Sequence, residues 1–256
     1  MKRRALLTSA LAGLAQARIE PASAGLAETV LKTRASVVLV GSISATQTPQ
    51  FVHRGAGFLV GRGDLVVTAA HTLPESRAMT DSAVPVVQVS RPGGTWQTLV
   101  ARVLEVDAVR DLALLRLRAV AGPALSLGDS LRVREGDDLA FTGFPVGGSL
   151  GFSPVTHRAM VSSITSAALP SPSAERLQAQ AIRSLRDGTF DIFQLDATAY
   201  PGNSGGPLFD PETGAVLGVM NLVLIKNTRE AVLSQPSGIS YAIPSRYVTE
   251  MLQRHE

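Results

Sequence analysis

The sequence contains no cysteine, and this absence excludes disulfide frameworks, thiolate metal sites and cysteine nucleophiles. It has only four histidines, and no two of them lie within five residues of each other. A zinc site would therefore have few ligands to draw on, so we expect neither a metal nor an organic cofactor. Stability must come from core packing, for which 256 residues of 45% hydrophobic composition are sufficient.

The sequence also lacks an excess of charge beyond its first residues. The formal net charge is +3, and Lys2, Arg3 and Arg4 account for all of it. No run of lysine and arginine with interleaved aromatic residues occurs elsewhere. We therefore predict no nucleic-acid partner.

Residues 1–17 have the three parts of an export signal. A basic start precedes an apolar stretch (5–15), and AQA (15–17) has the small-x-small pattern that signal peptidase cleaves. The apolar stretch is too short to cross a bilayer comfortably. We predict a signal peptide over 1–17, extending at most to about residue 25, and a periplasmic or secreted protein with no stable membrane insertion after cleavage. An ordinary secretory route and a twin-arginine route both fit.

Short apolar and β-branched runs, separated by glycine and proline turns, begin near residue 36. Six runs precede a linker-like segment (121–137) and six follow it. The runs cover 36–41, 51–61, 64–70, 84–90, 96–107, 112–118, 138–144, 154–164, 191–197, 206–210, 215–225 and 238–243. This spacing is typical of antiparallel barrels. We predict an all-β fold of two six-stranded antiparallel β-barrels, the N-terminal one over 26–120 and the C-terminal one over 121–256.

Three further segments have helical spacing. Before the first strand, Leu26, Val30 and Leu31 would form one apolar face. Residues 171–188 indicate a short helical insertion on the surface of the second barrel. The last predicted helix starts at Pro244 or Ser245 and closes the chain.

Three separate stretches carry residues that suit nucleophilic catalysis. TAAH (68–71) places His71 at the end of an apolar strand, DLALLR (111–116) places Asp111 directly before one, and GNSGGP (202–207) surrounds Ser204 with glycines. Taken singly, each is more typical of a hydrogen-bonded strand end, a turn or a loop. GNSGG also fits the nucleophile elbow of α/β hydrolases, but that fold needs a later histidine, and His255 is the only one.

Together, in this order, the three motifs resemble those of the trypsin-like serine proteases, most of all the bacterial HtrA/Deg branch. The resemblance covers roughly residues 35–250 and includes YAIPS (241–245). It implies a serine endopeptidase that acts on polypeptides through an acyl-enzyme, with Ser204 as nucleophile, His71 as base and Asp111 as the acid that orients it. The backbone N–H groups of Gly202 and Ser204 would form the oxyanion hole.

The resemblance also suggests roles for residues around these motifs. Asn203 stands where pancreatic-type relatives carry an aspartate that pairs with a new amino terminus, so activation by that route is not expected. The glycine-rich segment 142–152 is a candidate for controlling the oxyanion loop instead. Thr198 would lie at the base of the P1 pocket, and without a carboxylate there we predict no preference for lysine or arginine. Met220, Leu222 and Val223 would favour an aliphatic P1 residue, but they are equally well explained as core residues.

Several alternatives remain open from the sequence. Asp107 matches the first, non-catalytic acid of the family pattern, and His53 and His157 are predicted to be structural. A catalytically silent scaffold on the protease fold, or an esterase, would carry the same fold. The resemblance ends near residue 250, so we expect no PDZ module in this chain. A homo-oligomer is compatible with the family, but these residues give no argument for one.

Overall fold

The computed structural model describes residues 25–44, 48–74, 83–145, 151–167, 190–222 and 238–255. The predicted signal peptide (1–17) and the predicted helical insertion (171–188) lie outside these residues. Two α-helices are described, α1 (Leu26–Thr33) before the first strand and α2 (Ser245–Gln253) after the last. Neither is long and apolar enough to cross a membrane.

The first six strands form a closed antiparallel barrel. They are β1 (Val37–Ser44), β2 (Phe51–Val60), β3 (Leu65–Ala69), β4 (Ala83–Arg91), β5 (Thr95–Asp107) and β6 (Leu112–Leu117). Their spatial order is β1-β2-β3-β6-β5-β4, and the pairing of β1 with β4 closes the barrel.

The next six strands form a second closed barrel. They are β7 (Asp138–Gly143), β8 (Val155–Ala167), β9 (Phe190–Asp196), β10 (Pro207–Phe209), β11 (Val216–Asn221) and β12 (Ile239–Pro244). Their order is β10-β11-β12-β9-β8-β7, and β7 pairs with β10 to close the ring. The prediction of two six-stranded antiparallel barrels with a C-terminal helix is confirmed.

The largest cluster of buried side chains in which the two barrels pack on each other is here called the shared core. Its members come from the first barrel, the second barrel and α2: Phe58, Val60, Val67, Leu112, Leu114, Phe190, Ile192, Val216, Val219, Ile243, Tyr247, Val248 and Met251. Helix α2 therefore belongs to the packing of both barrels.

Strand β6 is buried on both of its faces. A strand with one buried face would alternate apolar and polar residues, whereas β6 has a continuous apolar run. Leu112 and Leu114 lie in the shared core, whereas Leu115 and Leu117 lie in the interior of the first barrel. Because successive side chains of a strand point to opposite faces, a strand that is covered on both sides must be apolar on both. Only Arg116 breaks the run, and it is exposed.

The apolar face of α1 predicted from the sequence is not its most buried face. Thr29 and Thr33 are each 2% exposed, whereas Leu31, predicted to share a face with Leu26 and Val30, is 66% exposed. The helix packs against the turn at Gly214, where a Cβ would lie 3.2–3.3 Å from the threonine methyl groups. Thr29 Oγ1 also donates a hydrogen bond to the Glu212 carbonyl (3.2 Å). Short side chains fit this close contact, and a leucine would not.

The shared core predicts that the two barrels unfold together. Phe58 has no exposed surface, so Phe58→Ala is expected to lower the free energy of unfolding by about 3–5 kcal/mol through lost burial and a residual cavity. Urea titration followed by tryptophan fluorescence and by circular dichroism should give one coincident transition, shifted to lower urea. Val100→Ala, at a side chain that is 56% exposed, is the control and should shift the midpoint little. Two separate transitions in the wild type would contradict the shared core.

Candidate active site

Asp111 ends the turn between β5 and β6 and enters β6 with a backbone φ of +54°. This left-handed conformation costs roughly 1–2 kcal/mol for a residue with a Cβ, although aspartate tolerates it better than most. The Asp111 carbonyl accepts a hydrogen bond from the Ala70 N–H (2.9 Å), and Oδ1 accepts one from the His71 N–H (2.8 Å). The strained residue is therefore fixed against the end of β3.

His71 lies in a short 3₁₀ helix, Ala70–Thr72, that follows β3. Its Nδ1 lies 2.5 Å from Asp111 Oδ2. Because an ionised carboxylate can only accept a hydrogen bond, this pairing makes Nδ1 the donor and leaves Nε2 as the nitrogen that could accept a proton. About a quarter of each side chain is exposed, 27% for His71 and 22% for Asp111, so part of the pair is accessible to solvent.

Asn221, which the sequence analysis did not single out, also contacts the acid. Its Nδ2 donates to Asp111 Oδ2 (2.9 Å), and the residue is only 1% exposed. It is the last residue of β11, so this hydrogen bond links the second barrel to the acid in the first. The one signal in the sequence was an amide inside the apolar run GVMNLV (218–223). A buried polar side chain needs a partner, and here the partner is 110 residues away.

Ser204 lies at the same boundary between the barrels. Its carbonyl accepts a hydrogen bond from the Ala56 N–H of β2 (2.8 Å), and its Oγ accepts one from the Leu222 N–H (3.3 Å). Leu222 directly follows Asn221, which binds Asp111. Among the described residues, no hydrogen bond joins His71 to Ser204. The structure brings His71 and Asp111 into direct contact, and Ser204 is connected to them through the neighbouring residues Leu222 and Asn221.

Gly205 allows the loop that carries Ser204 to pack closely against β3, the strand that precedes His71. A Cβ on Gly205 would overlap the Ala56 carbonyl and Thr68 Oγ1 and would lie 2.9 Å from the Ala69 nitrogen. Its φ of +85° is also unsuited to other residues. Only glycine lets the loop of the second barrel lie this close to β3, two residues before His71.

Tyr200, Pro201, Gly202 and Asn203 form a tight turn before the serine. The Asn203 N–H donates to the Tyr200 carbonyl (3.0 Å), and Gly202 has a φ of +102°. Proline in the second position and a positive φ in the third define a type II turn, which differs from type I in the orientation of the central peptide. The N–H groups of Gly202 and Ser204 donate no hydrogen bond to another described residue. Within the described part of the chain, both donors are therefore available to a ligand.

Gly202 and Asn203 are tightly enclosed. A Cβ on Gly202 would overlap the Phe144 carbonyl oxygen, and the Phe144 N–H donates to the Gly202 carbonyl (3.2 Å). Asn203 has no exposed surface, and neither end of its amide has a partner in the described part of the chain. Its Oδ1 would lie 2.6 Å from a Cβ on Gly143. Part of the glycine-rich segment 142–152, residues 146–150, lies outside the described residues.

The four predicted pocket residues have different environments. Thr198 and Leu222 are half-buried, whereas Met220 has no exposed surface and packs in the interior of the second barrel with Phe141. Val223 lies outside the described residues. Thr198 is flanked by the Ser240 hydroxyl, which donates to the Ala197 carbonyl (2.6 Å) and accepts from the Ala199 N–H (3.1 Å). Met220 is thus inaccessible from solvent, whereas Thr198 and Leu222 are partly exposed.

The two other histidines near the site are neutral packing residues. Burial lowers the pKa of His53, and the hydrogen bond from its Nε2 to the Gly55 carbonyl (2.9 Å) opposes this shift. Burial likewise lowers the pKa of His157, whose ring stacks on Phe141 at 4.9 Å. In the described ranges, no group of three or more His, Asp or Glu side chains could hold a metal ion.

Comparisons with known proteins agree with this architecture. The family model of the trypsin-like peptidase domain matches residues 55–219. The chain is 33% identical to the mitochondrial serine protease HTRA2 of Bos taurus over 237 residues, covering 90% of this chain and 43% of that protein. It is 30% identical to the putative serine protease HhoA of Synechocystis, covering 75% of this chain and 40% of that protein. The chain thus spans about two fifths of the length of these curated relatives.

Two solved structures share the fold. The inactive form of the Rv3671c protease superposes with a TM-score of 0.60 at 22% identity, covering 88% of this chain and 91% of that one. The HtrA-type protease AlgW with a tripeptide gives a TM-score of 0.63 at 22% identity, covering 90% and 63%. The family match covers well over half of the chain, and its curated relatives are HtrA proteases. The chain therefore belongs to the trypsin-like peptidase family, on its HtrA-like side.

Proposed function

We propose that the protein is a serine endopeptidase that hydrolyses peptide bonds in polypeptides through an acyl-enzyme on Ser204. The observation that carries this proposal is the hydrogen-bonded His71–Asp111 pair at the boundary between the barrels, with the Ser204 loop packed against the same strands. A serine hydroxyl becomes a useful nucleophile when a neighbouring base takes its proton, and an imidazole oriented by a carboxylate is such a base.

In the proposed reaction, His71 Nε2 takes the proton of Ser204 as Oγ attacks the substrate carbonyl carbon. The resulting oxyanion accepts hydrogen bonds from the N–H groups of Gly202 and Ser204. The intermediate then collapses: the C–N bond breaks, the imidazolium gives its proton to the leaving amine, and an ester to Ser204 remains. Water, deprotonated by the same imidazole, hydrolyses this ester and restores the hydroxyl. Asp111 stays ionised throughout and stabilises the imidazolium.

The looser relation between His71 and Ser204 is compatible with this reaction. Catalytic hydrogen bonds are often long or misaligned without substrate and tighten in the complex. Leu222 N–H, at 3.3 Å, holds Ser204 Oγ in the meantime. We propose that a bound peptide draws the hydroxyl toward Nε2.

For the substrate, we propose a small or medium aliphatic P1 side chain. Thr198 and Leu222 offer a partly exposed surface without a carboxylate, so a basic P1 residue would find no opposite charge there. We further propose that the protein is exported to the periplasm or secreted, as the basic, apolar and small-residue parts of residues 1–17 indicate.

The nucleophile is tested by covalent labelling. A fluorophosphonate probe is expected to label the purified protein once, and Ser204→Ala should abolish the label because the Oγ that bonds to phosphorus is gone. Casein should be digested by the wild type and not by Ser204→Ala. Labelling that persists in Ser204→Ala would remove Ser204 from the mechanism, and a wild type without casein digestion would favour an esterase or a scaffold.

The turn formed by residues 200–203, which we call the oxyanion turn, is tested at Gly202. Gly202→Ala should lower kcat/KM for a peptide substrate by about a hundredfold or more, because the added Cβ overlaps the Phe144 carbonyl and displaces a backbone donor. Gly93→Ala is the matched control, since Gly93 also has a positive φ (+86°) but no atom within 4 Å of its Cβ position. Equal activity of the two variants, both shown folded by circular dichroism, would argue against an oxyanion role for this turn.

Asn221 is tested as a partner of the acid. Asn221→Ala should lower kcat by about tenfold, because a charge-assisted hydrogen bond to Asp111 Oδ2, typically about 1.5–3 kcal/mol, is lost. Gln88→Ala removes an exposed amide hydrogen bond to Thr98 (3.1 Å) and should leave kcat unchanged. The measurement is the steady-state kcat of both variants. An unchanged kcat in Asn221→Ala would mean that the Asn221 amide does not help Asp111 to orient His71.

A further inference from the structure

The turn that leads into Asp111 is organised by a second carboxylate. Asp107 Oδ1 accepts hydrogen bonds from the Val109 and Arg110 N–H groups (both 3.0 Å), and Oδ2 accepts one from Arg110 Nη1 (2.8 Å). Such side-chain to backbone bonds fix the shape of a turn. Residues 107–110, which we call the acid turn, thus form a closed unit directly before the residue in the left-handed conformation.

The acid turn is attached to helix α2 through Arg110. The Arg110 guanidinium carbon lies 4.4 Å from the centre of the Tyr247 ring, a cation–π geometry. Val109, next to it, packs against the shared core, to which Tyr247 also belongs. Both residues that precede Asp111 therefore contact the side of the molecule that carries α2.

Tyr247 is itself held firmly. The residue is 6% exposed, and its ring lies edge-on to Phe190 at 6.1 Å. Its hydroxyl oxygen accepts hydrogen bonds from the Asp191 N–H (3.0 Å) and from Arg246 Nη2 (2.7 Å). A ring fixed at its edge and at its hydroxyl gives Arg110 an immobile surface to lie on.

A second contact joins the end of α2 to the strand that precedes the acid turn. Glu105 of β5 accepts hydrogen bonds from Arg254 Nη2 (2.6 Å) and lies 2.8 Å from His255 Nε2. The hydrogen bond from Arg254 is the main cause that lowers the pKa of Glu105. The C-terminal helix thus holds both the strand and the turn that lead to Asp111.

We propose that Arg110 and Tyr247 are positioning residues for Asp111, so that the C-terminal helix of the second barrel sets the place of the acid in the first. This inference rests on the proposed function, because it assigns the two residues to the support of His71 through Asp111. Neither side chain touches Ser204 or the oxyanion turn in the described contacts. Without the stack on Tyr247, the acid turn loses its anchor, and the left-handed residue that follows it relaxes away from His71.

The matched pair Arg110→Met and Arg134→Met tests the proposal. Both arginines make an ion pair with an aspartate three residues away, Arg110 with Asp107 (2.8 Å) and Arg134 with Asp137 (3.4 Å). Only Arg110 belongs to the acid turn and lies over the Tyr247 ring. Arg110→Met should lower kcat/KM by about tenfold or more, mainly in kcat, because the misplaced acid affects the chemical step more than binding. Arg134→Met should stay near wild-type kcat/KM, and Arg110→Lys, which keeps the charge, should lie between.

Proton NMR supplies a readout that general destabilisation does not move. The His71 Nδ1 proton, shared with Asp111, should give a low-field resonance that Asp111→Asn abolishes. Arg110→Met should shift or broaden it, whereas Arg134→Met should leave it unchanged. An unchanged resonance or unchanged kcat in Arg110→Met, or equal losses in both variants, overturns the proposal while Ser204 labelling stands. Labelling that survives Ser204→Ala overturns the proposed function together with it.

Discussion

The carboxylate of Asp111 accepts hydrogen bonds from both barrels, from the backbone and ring of His71 in the first and from the Asn221 amide in the second. A carboxylate that is largely withdrawn from water needs such donors, because an unpaired buried charge is strongly destabilising. The Asp111 carboxylate, which would orient His71 as the base, therefore also helps to fix the position of one barrel relative to the other. Stability and the proposed chemistry depend on one set of contacts.

The packing around Asp111 holds the two barrels in the arrangement that its hydrogen bonds require. The shared core joins both barrels and α2 into one apolar cluster, and the Ala56–Ser204 backbone bond joins them again beside the serine. Gly205 permits that approach because a side chain there would collide with β2 and β3. On the far side, Arg110 and Tyr247 tie the acid turn to α2. Asp111, the acid turn and the Ser204 loop are thus each held by a partner from the other half of the molecule.

Much of this could be predicted from the sequence, because strands and motifs are local patterns. All twelve strands lie within a few residues of the apolar runs that predicted them, and TAAH, DLALLR and GNSGGP mark the elements that meet at the boundary. What escaped prediction depends on distant pairing. The Asn221–Asp111 bond spans 110 residues, and the Arg110–Tyr247 stack depends on where the terminal helix docks. The exposure of Leu31 could not be predicted for the same reason, because the neighbour of α1 is a turn of the second barrel.

The most direct test of the account is a crystal structure of the protein after reaction with a peptidyl phosphonate. The account predicts a covalent bond from Ser204 Oγ to phosphorus, a phosphonyl oxygen about 3 Å from both the Gly202 and Ser204 nitrogens, and His71 Nε2 within hydrogen-bond distance of the adduct. The Asp111 contacts to His71 and Asn221 should remain in place. An adduct on another residue, or a phosphonyl oxygen directed away from the two N–H groups, would contradict it.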